Sequence, residues 1–388
     1  MGRAVFLLSL AAFASAASLR ATDPLLPLIA DEYGVTTGAA SAAVTAFALS
    51  YGLLQVVCGP LGDRYGRYRT IAAAALVSAF GSAACAIAPS LDSLIAARLV
   101  SGATIGAFIP LALAWIGDTV AYERRQPLLA RFLVGQMAGV AFGTAAAGWL
   151  GEHFGWRTIF FALAGLLLLI AVLLLVEIKT NALARGGGAG RGAIRQSVKR
   201  MPGLLLHRRV RVLLATGYTE GLLIFGALAF VAVYLQRSYG LGPGLAGTLV
   251  TAYAGGGLLY ALLARRAVRR LGERGLVTLG GVALVLGYVA LALAPSAAVA
   301  TLGIASVGAG FYMLHTTVQT HVTHVAPEER GSAVALFATF LFLGQASGVW
   351  LAAQVVDAAG MAPVFLAAAA GLAALTVLFR YFLSEGGT

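Results

Sequence analysis

Charge is what this sequence has least of. Only 11% of its 388 residues are Asp, Glu, Lys or Arg, less than half the share found in ordinary water-soluble domains. Hydrophobic residues make up 60%, more than a single soluble core of this size can hide. That excludes a soluble enzyme, a disordered chain and a nucleic-acid-binding protein. Cysteine is nearly absent: Cys58 and Cys85 both sit in apolar stretches and read as small buried hydrophobes, not as a disulfide or metal site. Gly255-Gly256-Gly257 is followed by no phosphate-binding lysine, so it reads as a close-contact stripe. With no nucleophile–base pair and no metal-ligand spacing, the chain is not expected to be an enzyme. No cofactor or metal is expected either.

What the chain has in place of charge is hydrophobic length. Runs of about 20 apolar residues can cross a bilayer. Twelve such runs occur, at 4–30, 38–60, 69–89, 91–117, 128–150, 158–177, 210–236, 245–264, 275–294, 298–322, 332–356 and 361–383. The first starts like a cleavable leader, with Arg3 before an apolar stretch and Ala14-Ser15-Ala16 after it. The apolar pattern continues to Ala30, so this segment is read as a span. With both termini cytoplasmic, 23 of the 27 Lys and Arg fall on inner loops and ends, and only Arg157 and Arg237 fall on outer loops. Such an asymmetry sets membrane orientation and accounts for the net charge of +12 without any nucleic acid. Residues 179–211 carry nine Lys/Arg and no acid. The expected organisation is therefore an N-terminal six-helix bundle over 1–178, a basic cytoplasmic linker over 179–209 and a C-terminal six-helix bundle over 210–388.

The two halves repeat at an offset of 206 residues. Tyr33-Gly34 returns as Tyr239-Gly240, Val44-Thr45-Ala46 as Val250-Thr251-Ala252, and Ala88-Pro89-Ser90 as Ala294-Pro295-Ser296. Gln136, between Gly135 and Gly139, returns slightly displaced as Gln345, between Gly344 and Gly348. Six spans followed by six in the same orientation are parallel repeats. Secondary transporters built this way place their substrate site between the halves, near the midplane.

The loop after the second span reads Gly59-Pro60-Leu61-Gly62-Asp63-Arg64-Tyr65-Gly66-Arg67. It resembles, at every keyed position, the signature loop of the major facilitator superfamily. Arg98 with Gly102 and Gly106 on span 4 resembles a second motif of that superfamily. Asp23-Pro24-Leu25-Leu26-Pro27 on span 1 is similar to the first-span motif of its twelve-span drug:proton antiporters. The fifth-span motif of that branch ends Gly-Pro, whereas here Gly143 is followed by Thr144. The resemblance implies a fold of twelve transmembrane helices in two pseudo-symmetric bundles. It also implies a latch in which Gly59, Asp63, Arg64, Gly66 and Arg67 join the start of span 11 near Gly331-Ser332, with an arginine of the loop paired to Asp118. Such a latch would favour the outward-open state. The second-half copy has Arg269 where Asp63 would recur, so the latch is asymmetric.

Ionisable residues inside a span are costly and need a partner or a wet cavity. Arg20 and Asp23 are three apart on span 1 and share a face. Arg98 lies at similar depth on span 4, so the three are expected to form one cluster. Glu220 lies near the midplane of span 7 with no partner close in sequence. The offset places Ala229 opposite Asp23 and Ala14 opposite Glu220, so the duplication did not keep these charges. A carboxyl that loads and releases a proton needs an environment that changes: burial favours the neutral acid and a nearby arginine favours the carboxylate. Asp23, Glu220, Arg20 and Arg98 are the proton-coupling candidates. Tyr312, His315 and Gln319 share one face of span 10. The resemblance implies that spans 1, 4, 7 and 10 line the cavity, so this face is the candidate substrate wall.

The expected function is alternating-access, proton-coupled efflux of a small molecule by a monomeric multi-pass protein of a bacterial inner membrane. Two alternatives stand beside it. One is a proton-coupled importer of a sugar, organic acid or amino acid, with Arg20 and Arg98 binding an anion. The other is a transport-inactive sensor on the same scaffold.

Overall fold

The structure is a computed structural model that describes residues 2–120, 122–186, 203–325 and 330–385. Its spans are α1 (Gly2–Tyr33), α2 (Thr37–Tyr65), α3 (Arg67–Ala86), α4 (Leu91–Thr119), α5 (Tyr122–Phe154) and α6 (Arg157–Thr180). The second set is α7 (Arg208–Tyr239), then α8 (243–271) and α9 (273–293), α10 (Ala297–Val325), α11 (Arg330–Ala359) and α12 (Ala362–Glu385). The arms α8 and α9 form one continuous stretch, Pro243–Leu293, that breaks at Gly272, where φ is 62° and ψ −178°. Gly66 makes the matching break between α2 and α3 at φ 90°. A residue with a Cβ resists this left-handed region, which is why both copies of the inner turn carry glycine. Of the expected linker, Lys179 and Thr180 continue α6, and Ala182–Arg185 forms one further helical turn. Residues 187–202 lie outside the described residues.

The duplication read in the sequence is also a duplication of contacts. The Tyr33 hydroxyl donates to the Ala88 carbonyl at 2.8 Å, and its repeat Tyr239 donates to Ala294 at the same distance. A Cβ on Gly102 would lie 2.4 Å from the Phe47 carbonyl, and one on Gly308 would lie 1.9 Å from the Tyr253 carbonyl. Each is the other shifted by 206. The glycine stripe on α5 packs against α1 as expected from small-residue spacing: a Cβ on Gly139 would meet the Phe13 carbonyl at 2.3 Å. On α11 the same job falls to Gly344 and Gly348, which press on Tyr218 and Leu222 of α7.

Large apolar side chains such as Phe6, Phe80, Leu262, Leu302 and Val377 stand exposed around the outside of the molecule. A water-soluble monomer rarely tolerates so much exposed apolar surface, whereas hydrocarbon covers it without penalty. The arginine-rich end is called inner below and the opposite end outer. Described hydrogen bonds between the bundles gather towards the outer side: Thr36 and Gly38 with Asp357, Arg237 with Thr37, Gln236 with Pro24 and Gly244 with Glu152. At mid-depth, Thr339 of α11 donates to the Gly52 carbonyl of α2 at 3.0 Å. Towards the inner end, a Cβ on Gly59 or Gly331 would meet nothing within 4 Å. The bundles are thus closed on the outer side.

Candidate functional site

Both bundles contribute a broken helix to the interface. In α1 the α-helical turn ends at Arg20, and a short 3₁₀ turn over Asp23–Leu25 follows, with Pro24 removing a backbone donor. In α7 the α-helix ends at Glu220, and a π turn over Gly221–Phe225 follows. Such widened turns often sit at functional positions because they free backbone groups and redirect side chains. The Tyr288 hydroxyl donates to the Ile224 carbonyl in that turn at 2.6 Å. Gly221 lets the turn press against α11, since a Cβ there would lie 1.9 Å from the Leu341 carbonyl.

Each break carries a buried carboxyl. Asp23 pairs with Arg20 at 3.2 Å, with both side chains buried. The Arg20 guanidinium also sits 4.8 Å above the ring of Phe225 in the other bundle. Glu220 has no solvent exposure and meets His315 Nδ1 at 3.0 Å. The expectation that Glu220 lacks a sequence-local partner holds, because its partner comes from α10. His315 stacks on Phe311 at 4.7 Å, and Phe311 lies 5.0 Å from Phe225. One continuous file therefore runs Asp23, Arg20, Phe225, Phe311, His315, Glu220 across the interface. Phe225, Phe311 and Phe337, which lies 5.4 Å from His315, were not among the expected site residues. The only hint in the sequence is that Phe311 precedes His315 by one helical turn.

Arg98 lies within electrostatic reach of Asp23, but its hydrogen bonds go to backbone. Its guanidinium donates to the Ser18 carbonyl at 3.2 and 3.3 Å and to the Ala43 carbonyl at 3.3 Å, and lies 3.9 Å above Phe47. Ser18 is among the last residues before the α1 break, where carbonyls lose their helical partners. A cation is favoured at such a helix end, so Arg98 ties α4 to α1 and α2 and forms no hydrogen bond with Asp23. The substrate-wall residues also separate. His315 faces Glu220, while Tyr312 packs against Gly257 of α8, whose Cβ would fall 2.4 Å from the ring. Gln319 is exposed.

Six buried polar atoms in this region have no hydrogen-bond partner among the described residues: Ser18 Oγ, Thr22 Oγ1, Asp23 Oδ1, Glu220 Oε1, Tyr253 Oη and Gln345 Nε2. Buried polar atoms are nearly always satisfied, so these are positions where water or a bound molecule completes the bonding. Gln345, the repeat of Gln136, contributes its amide nitrogen to the six.

At the inner end, Arg67 bridges Asp63 at 3.3 Å and Asp118 at 2.5 Å. The pairing of a loop arginine with Asp118 is therefore present. Arg64 lies over the Tyr65 ring. Among the described residues no hydrogen bond joins Asp63 to Gly331 or Ser332. That fits the outer-closed arrangement, because the latch was expected to belong to the opposite state.

A sequence model of the Major Facilitator Superfamily matches residues 8–348. The chain belongs to that superfamily. An uncharacterized MFS-type transporter of Bacillus subtilis, YwfA, is 25% identical over 381 residues, covering 96% of this chain and 89% of that one. The multi-drug resistance efflux pump PmrA of Streptococcus pneumoniae is 31% identical over 173 residues, covering 44% of this chain and 43% of PmrA. A crystal structure of a variant of the nucleoside transporter NupG superposes with a TM-score of 0.78 at 13% identity, over 97% of this chain and 99% of that one. The fold is thus that of the superfamily, and the protein is a multi-pass membrane transporter.

Proposed function

We propose that this protein exports a small molecule in exchange for protons, by alternating access, as a monomer in a bacterial inner membrane with both termini cytoplasmic. The observation that carries this reading is the pair of buried carboxyls, Asp23 and Glu220, each with one oxygen paired and one oxygen free at the bundle interface. A free carboxyl oxygen is where a proton arrives, and where a substrate donor competes with it. When the bundles rock, Phe225 moves relative to Arg20 because the two belong to different halves. That motion changes the surroundings of both carboxyls together. Export as the direction is supported by the partial likeness to the PmrA efflux pump. The domain division at residues 178 and 210 follows the same reading, with each bundle moving as a unit about the linker.

The test uses the purified protein in proton-loaded vesicles, with a growth-inhibition panel first identifying a transported compound. Export coupled to protons predicts substrate and proton moving in opposite directions, and loss of coupling in Glu220→Gln. Movement in the same direction would establish the importer instead. No movement of any compound that protects cells would support the transport-inactive sensor.

A further inference from the structure

Among the bonds of the outer closure, two are copies of each other. On one seam, Asp357 near the end of α11 accepts the Gly38 N–H at 3.0 Å and the Thr36 hydroxyl at 2.6 Å, at the start of α2. On the other, Glu152 near the end of α5 accepts the Gly244 N–H at 2.7 Å, at the start of α8. Gly38 and Gly244 are 206 apart, and Glu152 and Asp357 are 205 apart. The offset of 205 also relates Gly155 and Gly360, the positive-φ glycines (85° and 82°) that follow α5 and α11. In each seam a carboxylate from the end of one helix caps the start of a helix in the other bundle.

We propose that Glu152 and Asp357 are paired outer latches that hold the outer-closed state, and that both must release before the outer side opens. The first N–H groups of a helix have no helical acceptor. The positive end of the helix dipole favours an anion there, and hydrogen bonds to a carboxylate are stronger than neutral ones. Glycine makes the approach possible. A Cβ on Gly38 would lie 2.2 Å from Asp357 Oδ2, and one on Gly244 would lie 2.8 Å from Glu152 Oε2. Outer opening must separate α2 from α11 and α5 from α8, so it breaks both bonds. The duplication has thus kept its outer acids, an Asp and a Glu, in both halves. The inner acid Asp63 has become Arg269 in the second half. The outer lock is two-fold, while the inner latch is single. Both carboxylates are exposed at the rim, where solvent weakens each bond, so the lock is reversible.

The experiment places spin labels at Asp92→Cys and Ala298→Cys in the full chain in lipid nanodiscs. These positions are exposed, begin α4 and α10 on the outer side and are 206 apart; the native Cys58 and Cys85 are buried. Pulsed electron-spin distances then report outer opening without any substrate or pH gradient. The parent is expected to show one short distance. Asp357→Asn and Glu152→Gln should each raise the outer-open to outer-closed ratio by roughly threefold to tenfold, the range for losing one exposed charge-assisted bond. The two together should multiply, as separated sites do. Asp357→Glu, which keeps the carboxylate, should stay near the parent. Gly38→Ala and Gly244→Ala, which keep the carboxylates but crowd them, should shift the ratio in the same direction. They also provide the reading if the carboxylate variants fail to insert. A double variant with the parent's distance distribution would overturn the proposal. Because no proton or substrate enters the measurement, its outcome is separable from that of the coupling reading.

Discussion

Asp23 and Glu220 occupy corresponding kinds of place, each at a helix break beside the bundle interface, yet their partners differ in one decisive way. Asp23 faces an arginine, which keeps its charge throughout the range in which proteins work. Glu220 faces a histidine, whose ring nitrogens can either donate or accept a hydrogen bond. The Arg20–Asp23 pair is thereby suited to hold a fixed electrostatic arrangement across the interface, with Arg20 resting on Phe225. The Glu220–His315 pair holds one carboxyl oxygen and leaves the other without a partner. The two acids therefore sit in different electrostatic surroundings. On the proposed reading, the partner sets how each acid responds when the bundles move.

The largest expected effect breaks the comparison outright. Glu220→Gln should reduce proton-driven flux in vesicles by about 100-fold or more, the loss typical of removing a positioned acid–base group, while the protein stays inserted and monodisperse. Flux within a factor of two of the parent would end the coupling role of Glu220. Next, Asp23→Asn leaves Arg20 buried without its counter-charge, which costs about 3–5 kcal/mol. It should lower the Tm clearly more than Glu220→Gln does. Equal Tm values for the two variants would show that the pairs are not different in kind. A smaller effect sharpens the contrast: His315→Gln, which removes the ring that meets Glu220, should change the dependence of transport on pH. Arg20→Lys should leave the shape of that dependence unchanged. Arg98→Ala is expected to cost about 2–4 kcal/mol of stability by freeing the α1 carbonyls it caps, read as a lower Tm with the pH profile intact. A changed pH profile would return Arg98 to the coupling set. The smallest effect belongs to the inner end. Asp63→Ala should slow turnover a few-fold with substrate affinity unchanged, and a parent-like turnover would argue against any latch there.

Much of the fold was legible in the sequence because lipid imposes a coarse rule: a span must be long and apolar. The twelve spans, the inner turn around Gly66 and the small-residue stripe on α5 all follow from local composition. The Arg67–Asp118 pair was legible only through resemblance to the signature loop. Three features were not legible, each for its own reason. The Glu220–His315 pair joins residues 95 apart on helices whose rotation the sequence does not state. The fate of Arg98 turned on the α1 break, which exposed the Ser18 carbonyl and offered the guanidinium a better partner than Asp23. The outer latches combine single acids and glycines that mean little alone. They gain meaning only when the offset is followed across both seams.

By itself, the sequence determined that this chain lives in a bilayer, that it is built twice, and which end carries the positive charge. Those properties are sums over many residues, and such sums survive local error. Tertiary structure alone decided that Glu220 meets His315 and which end of the crevice is closed. Those outcomes rest on helix rotation and on approaches measured in tenths of an ångström, set by packing between segments that the chain order keeps far apart.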